Sequence, residues 1–396
     1  MRGVNIIGAY NSRFGKLEEE TLYSLYENAV KGALQDSQRN AEDIDAVFVG
    51  NFSAGSFNNQ ENIASYGVNA MPGLRHKPMY RTENACASGS SAVHMAAMAI
   101  KSGMIKRALV IGLEKMTALD TKGVTRSLAL ATFWPEEGAK DVTAPCMFAQ
   151  LANGWMKKYG YTEEQLRPWL AKIGSKNYTN AAQNPLAHLQ KARTAEEIMS
   201  LPDEKNPMVN TPLRLHDCSL ISDGSAALVL EAAGESSKGS AVALKGFYNA
   251  SDYLDTFGVH KSDAFLEGAS HAAKQALQQA GMTINDMQLA EVHDCFTITE
   301  MLVYSALGLA QPGKEFEAIE NKTVFPGGQC VINASGGLKA KGHPIGATGV
   351  SMHAYIYKQL TGQPLGLSVP DASSGLVMNI GGSGTSNCAS VLSRIR

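Results

Sequence analysis

Short runs of apolar and β-branched residues alternate along the chain with longer stretches of helical period. Val4-Asn5-Ile6-Ile7-Gly8 reads as a strand. Leu22, Leu25, Ala29, Val30, Ala33 and Leu34 then recur at the spacing of one helix face over 22–35. Asp45-Ala46-Val47-Phe48-Val49-Gly50 reads as a second strand ended by glycine. The run from Ala92 to Ile100 reads as a buried helix, and Arg107 to Gly112 as the strand that follows it. Strands that alternate with helices predict an α/β layered fold.

The pattern then recurs. ALQDSQRNAEDIDAVFVGN, from Ala33, is matched by ALQQAGMTINDMQLAEVHDC, from Ala276. Both read as a helix end, a polar turn and a strand. NACASGSSAVHMAAMAIKSG, from Asn84, is matched by NASGGLKAKGHPIGATGVSMHAYIYKQLTG, from Asn333; each is a small-residue turn, then an Ala/Met/Val helix ended by Gly. An apolar strand follows each, at 107–112 and about 375–380. Two such halves predict a duplicated domain whose matching turns meet at the centre.

The expected division is 1–117 for the first half, 118–220 for an insertion, 221–240 for a returning strand and linker, and 241–396 for the second half. The insertion holds all three tryptophans, Trp134, Trp155 and Trp169, a turn at Pro135 and a polar helix from Thr162 to Lys172. Insertions of this length often shape a ligand site. Ser225 to Leu230 reads as the last strand of the first half, and 234–240 as a short linker.

Composition narrows the function classes. Of 396 residues, 35 are basic and 37 acidic, for a formal charge of -2. That balance gives no support for nucleic acid as a partner. The six cysteines, Cys86, Cys146, Cys218, Cys295, Cys330 and Cys388, form no CxxC pair. Neither a metal knuckle nor a disulfide framework is expected, and reduced thiols point to the cytoplasm. The start, MRGVNIIGAYNSRFG, is too short in apolar run for a secretory signal. No apolar stretch reaches the ~18 residues of a membrane span, and the C-terminal Ser393-Arg394-Ile395-Arg396 is not a peroxisomal address.

Reactive groups gather at the turns. Cys86 stands just before the Ala/Met helix. VHDCFT puts His293, Asp294 and Cys295 at a strand end, and KAKGHPIGATG puts His343 in a glycine-flanked turn. MNIGGSGTSN puts Asn379 before the loop Gly381-Gly382-Ser383-Gly384. A thiolate is the working nucleophile, and a helix N-terminus with a nearby imidazole is expected to lower its pKa from ~8.5. The backbone N–H of Cys86 and one from the glycine loop suit one oxyanion hole, and His293 with His343 a second. Any one of these motifs alone is more often an ordinary turn, and their equivalent places in two halves raise the odds. The triplet His216-Asp217-Cys218 is expected to be structural, and Cys388 to lie in a strand.

Asn84-Ala85-Cys86-Ala87-Ser88-Gly89, His293-Asp294-Cys295-Phe296, Asn333-Ala334-Ser335-Gly336-Gly337 and Gly342-His343-Pro344-Ile345-Gly346-Ala347-Thr348-Gly349 together resemble the thiolase superfamily. The His-Asp-Cys-Phe form is similar to the sterol-carrier-protein type. The likeness extends into the insertion, at Lys172 to Asn177 and at Ser222-Asp223-Gly224.

This resemblance implies an α/β, five-layered α-β-α-β-α fold of two duplicated halves plus an inserted loop domain. It implies a homodimer or dimer of dimers, acting in lipid or fatty acid metabolism. The implied chemistry is that of an acetyl-CoA acetyltransferase-like enzyme: Cys86 takes the acyl group of a coenzyme A thioester, and coenzyme A or an enolate accepts it. His343 then activates Cys86, and His293 stands where many thiolases have an asparagine that holds a catalytic water.

The acid/base thiol that better-known thiolases carry before the glycine loop is replaced by Asn379. Cys295 therefore becomes the candidate proton carrier, and Asn379 is expected to matter mainly through loop geometry. Ser219, Met147 and Gly382 are the candidate coenzyme A contacts, with Met147 and Phe148 also candidates for an acyl pocket. No permanently bound cofactor and no metal are expected. The chain ends straight after its last strand, so no lipid-carrier domain and no sterol transfer are implied. Two alternatives stand beside this reading: an acyltransferase or synthase subunit working with a small coenzyme A-binding protein, and a non-catalytic scaffold.

Overall fold

The structure, a computed structural model, describes residues 2–235, 240–255 and 266–395; most of the expected linker, 236–239, lies outside the described residues. Ten strands join in one hydrogen-bonded sheet. The first five are β1 (Val4–Asn11), β2 (Ala46–Gly50), β3 (Met79–Thr82), β4 (Arg107–Glu114) and β5 (Gly224–Ala232). The second five are β6 (Val242–Ser251), β7 (Leu289–Val292), β8 (Val331–Ile332), β9 (Ser374–Gly381) and β10 (Ser386–Arg394).

The spatial order is β3-β2-β4-β5-β1 in one set and β8-β7-β9-β10-β6 in the other. In both, the third, second and fourth strands run parallel and the fifth returns antiparallel beside the first. The duplication read from the repeats is thus a duplication of topology. The two sets touch edge to edge only where Asn5 and Ile6 of β1 face Ala243 and Val242 of β6.

Parallel neighbours need crossover helices. These are α1 (Leu22–Ser37) and α2 (Ser88–Lys101) in the first half, and α6 (Glu267–Ala280), α7 (Thr297–Leu307) and α8 (Ile345–Leu360) in the second. Between the halves, α3 (Thr121–Ala129), α4 (Ala144–Tyr159) and α5 (Glu163–Ala181) form the insertion, with a small ribbon of Met208–Asn210 against Leu213–Arg214.

All sixteen residues of α8 are buried. A helix covered on every side belongs to a middle layer; α8 packs on α2 and against strands of both sets, while α1 and α6 cover the outer faces. The layers run α-β-α-β-α. A Cβ on Gly89 would lie 2.7 Å from Gly346 O and 2.8 Å from Val350 N. The first turns of α2 and α8 therefore meet backbone to backbone, and the turns that precede them lie side by side.

Helix α5 runs on past the expected Lys172 to Ala181. Its second part is polar yet inward: Lys176 pairs with Glu300, and Asn180 bonds Asn333 O. Buried polar groups of this kind hide a helix from a hydrophobicity pattern.

Candidate active site

Cys86 follows Ala85, which adopts φ +48° in the turn between β3 and α2. An alanine held in the left-handed region costs of order 1–3 kcal/mol and marks a turn fixed by its surroundings. Ser88 Oγ accepts the Asn84 N–H and donates to Ala85 O, which pins the turn. Cys86 is half-buried and lines a cavity of about 460 Å³ together with Cys295, His343, Ser219, Met147 and Gly382. His293 stands beside His343, rings edge to face at 5.2 Å. The Cys86 sulfur and one nitrogen of each ring all lie within 4.8 Å of one another. Turns from both halves have converged, including Phe52 after β2.

The two imidazoles differ in tautomer. Thr348 Oγ1 donates to Pro344 O at 3.0 Å, so it accepts from His343 Nδ1–H at 2.6 Å. Nε2 of neutral His343 is then bare. Asn379 Nδ2 donates to Cys86 O at 3.0 Å, which orients the amide, and its other hydrogen meets His293 Nδ1 at 3.2 Å. The ring hydrogen of neutral His293 is then on Nε2. Both Nε2 atoms are buried and unpartnered. One ring thus carries a bare acceptor and its neighbour a free donor.

Burial decides the charges. It pushes His343 down to about 3, with Lys341 adding to the effect, and His293 well below its ordinary value. Cys86 is pushed up to about 12, mainly by desolvation, against the pull of the Gly382 N–H. Cys295 is raised well above its ordinary value by burial and by Cys86. These directions correct the expectation that the helix start and a histidine would favour thiolates. Cys86 precedes the first turn of α2, and its neighbouring imidazole is neutral, so no cation compensates the lost water. At rest the site holds two thiols and two neutral rings.

Cys295 Sγ meets Thr299 Oγ1 at 3.7 Å, and its carbonyl accepts the Ser219 N–H at 2.8 Å. Asp294, buried between them, accepts from the Leu338 and Lys339 N–H groups at 2.6 and 3.1 Å. It thereby ties the His293 turn to the His343 turn. Glu114, at the end of β4, accepts from Phe52 N and Gly346 N and joins the halves. Sequence reasoning named Asp294 without giving it a role, and passed over Glu114 and the aim of Asn379. Phe148 stacks on Phe296 at 4.6 Å in the cavity wall. In the 216–218 triplet Asp217 pairs with Arg167 and His216 meets the Tyr178 hydroxyl, as a structural role requires, while Cys218 also reaches the cavity. Cys388 is buried in β10.

Residues 4–234 match the family of the thiolase N-terminal domain, and residues 255–394 that of the thiolase C-terminal domain-like. The chain is 36% identical to an acetyl-CoA acetyltransferase of Methanothermobacter thermautotrophicus over all of both chains. It is 31% identical to sterol carrier protein 2 of Homo sapiens over 96% of this chain and 70% of that one. Among solved structures it is similar in fold to the "Ltp2-ChsH2(DUF35) aldolase", with a TM-score of 0.84 at 19% identity, covering 100% of this chain and 98% of that one. The human mitochondrial 3-ketoacyl-CoA thiolase gives 0.74 at 18%, covering 100% and 99%.

Proposed function

The chain belongs to the thiolase family, and on that footing we propose that Cys86 carries the acyl group in its transfer between coenzyme A thioesters. The enzyme is a coenzyme A-dependent acyltransferase of the acetyl-CoA acetyltransferase type. The observation that carries the residue roles is the opposed tautomers of His343 and His293 beside one thiol.

In the first half-reaction Cys86 Sγ attacks the acyl carbon while bare His343 Nε2 takes its proton. The Cys86 and Gly382 N–H groups hold the developing oxyanion. The departing coenzyme A thiolate takes the Cys295 proton. In the second, the Cys295 thiolate removes the α-proton of an incoming thioester. Its enolate oxygen lies between His293 Nε2–H and the proton that His343 now carries. The new carbon–carbon bond expels the Cys86 thiolate, which recovers its proton from His343. Thiolysis runs the same steps backward. Burial favours every return to the neutral state.

We further propose 118–220 as the domain roofing the cavity, within the division 1–117, 118–220, 221–240 and 241–396. Ser219, Met147 and Gly382 are proposed as contacts for the thioester arm; all three face the cavity. A second copy is proposed to cover β3. That strand is a sheet edge with Tyr80 55% exposed, and nearby Met95 and Met98 of α2 are 46% and 48% exposed. Unprotected edges invite pairing. Six free cysteines support a reducing, cytoplasmic setting. No helix among the described residues is long and apolar enough to cross a membrane.

The reading with a coenzyme A-binding accessory protein keeps one specific support. Among the described residues lining the cavity none is an acid, a lysine or an arginine, while Val209 and Leu215 in its wall are 41% and 47% exposed. The phosphates of coenzyme A must be held beyond this cavity.

Mass spectrometry after incubation with acetyl-CoA tests the main reading. An adduct of ~42 Da on Cys86, absent from Cys86→Ala, is expected for an acyl-cysteine. No adduct would leave the scaffold reading. A thiolysis assay over 3-oxoacyl-CoA chain lengths then sets the substrate range.

A further inference from the structure

A thiol and two imidazoles come together here: the Cys86 sulfur and one ring nitrogen each of His293 and His343 lie within 4.8 Å of one another. Both rings are more than nine-tenths buried, and neither Nε2 has a partner. Thiolate and imidazole are the ligands that zinc prefers. We propose that these three atoms form an inhibitory site for a zinc-class divalent cation, in which metal and acyl group compete for the same sulfur.

The geometry needs modest closure. Tetrahedral zinc with bonds of about 2.1 Å to nitrogen and 2.3 Å to sulfur sets its ligands roughly 3.3–3.6 Å apart. The widest pair closes by up to about 1.2–1.5 Å, within the reach of side-chain rotation. His343 is ready as it stands, with Nδ1–H held by Thr348 and Nε2 bare. Such outer hydrogen bonds fix metal-binding rings. His293 must move its hydrogen to Nδ1. Asn379 meets that change by turning its unpartnered Oδ1 toward the ring, giving up its bond to Cys86 O. A water from the cavity completes the fourth position.

The step balances simply. The Cys86 S–H bond breaks, the sulfur–metal bond forms, and one proton goes to the buffer; nothing is oxidised. An acylated Cys86 has no thiolate to offer, so acylation and metal binding exclude each other. The inhibitory part rests on Cys86 being the acyl-bearing thiol, and the binding part does not.

Calorimetric titration of metal-free protein with Zn²⁺ tests the site. One ion per chain is expected, with affinity reduced by about 100-fold or more in Cys86→Ala and about 10–100-fold in Thr348→Val, which removes only an outer hydrogen bond. Co²⁺ in its place is expected to show a thiolate charge-transfer band that Cys86→Ala lacks. Prior alkylation of Cys86 with iodoacetamide must block binding; so must acylation by acetyl-CoA. Binding that survives Cys86→Ala and alkylation, or no stoichiometric binding, overturns the proposal. If alkylation blocks the metal but acetyl-CoA leaves no adduct, the site stands and the thiolase reading of Cys86 fails.

Discussion

The Asn379 amide nitrogen donates to His293 Nδ1 at 3.2 Å and so places that ring's hydrogen on Nε2, beside the ring of His343. This bond predicts a role for Asn379 beyond the loop geometry expected of it. Asn379→Asp would offer an acceptor, draw the hydrogen to Nδ1 and leave Nε2 bare. Loss of one oxyanion donor costs about 10²–10³ in kcat. Condensation and thiolysis are expected to fall by that factor, while the rate of Cys86 acylation changes little. Stopped-flow acylation measured beside steady-state thiolysis separates the two. Equal loss in both would mean that Asn379 supports only the loop.

Cys295 is buried beside Cys86 with its thiol held neutral. Cys295→Ser keeps the volume and a hydroxyl but loses a group acidic enough to move an α-proton. The acyl adduct on Cys86 is expected to persist. Thiolysis and condensation should drop by about 10²–10⁴, the usual worth of general acid–base catalysis. Near-normal turnover would move the proton to His343 or to water.

The duplicated halves were legible because each repeat carries a helix, a polar turn and a strand in the same order, as at Ala33 and Ala276. Three strands of the sheet escaped, Val242–Ser251 after the linker among them. Met79–Thr82 has no alternation to read, and Val331–Ile332 is two residues long; both exist through pairing with β2 and β7. The four reactive side chains stood out at turns, and the cavity gathers three of them with His293 at its back. Protonation did not stand out. The directions at Cys86 and His343 follow from desolvation by a middle layer that no local window displays. Glu114 ends an ordinary apolar strand, and its partners lie at Phe52 and Gly346.

Gly89 is where the two central helices touch. A methyl there meets the Gly346 carbonyl at 2.7 Å and the Val350 nitrogen at 2.8 Å, both backbone atoms. Gly89→Ala must part α2 from α8 and with them Cys86 from His343. Overpacking of this kind costs about 1–3 kcal/mol. Urea unfolding should show that loss, and acylation should slow along with it. Unchanged stability would mean that the middle layer yields freely.

The middle layer also sets an acid limit through His94 and His353. His353 Nδ1 bonds Gly349 O at 2.7 Å, so its Nε2 accepts the Ser390 hydroxyl at 2.8 Å; that oxygen in turn accepts His94 Nε2–H at 2.9 Å. Every hydrogen in this chain is committed with both rings neutral, and His94 Nδ1 is buried without a partner. Burial pushes His94 down to about 3 and His353 to about 4. The folded protein refuses protons that the unfolded chain binds below about 6.5. Each ring's contribution is therefore whole above that pH and is lost as pH falls toward its folded value. Glu114 and Asp294, both raised to about 7, act in the opposite direction between about 4.5 and 7, so the test compares variants at each pH. His94→Gln keeps a donor toward Ser390 and removes one titrating ring. Between pH 6 and 4.5 its stability should fall less steeply than that of the parent, by about 1.4 kcal/mol per pH unit. Denaturant midpoints with parallel slopes across that range would show that His94 takes its proton in the folded state after all.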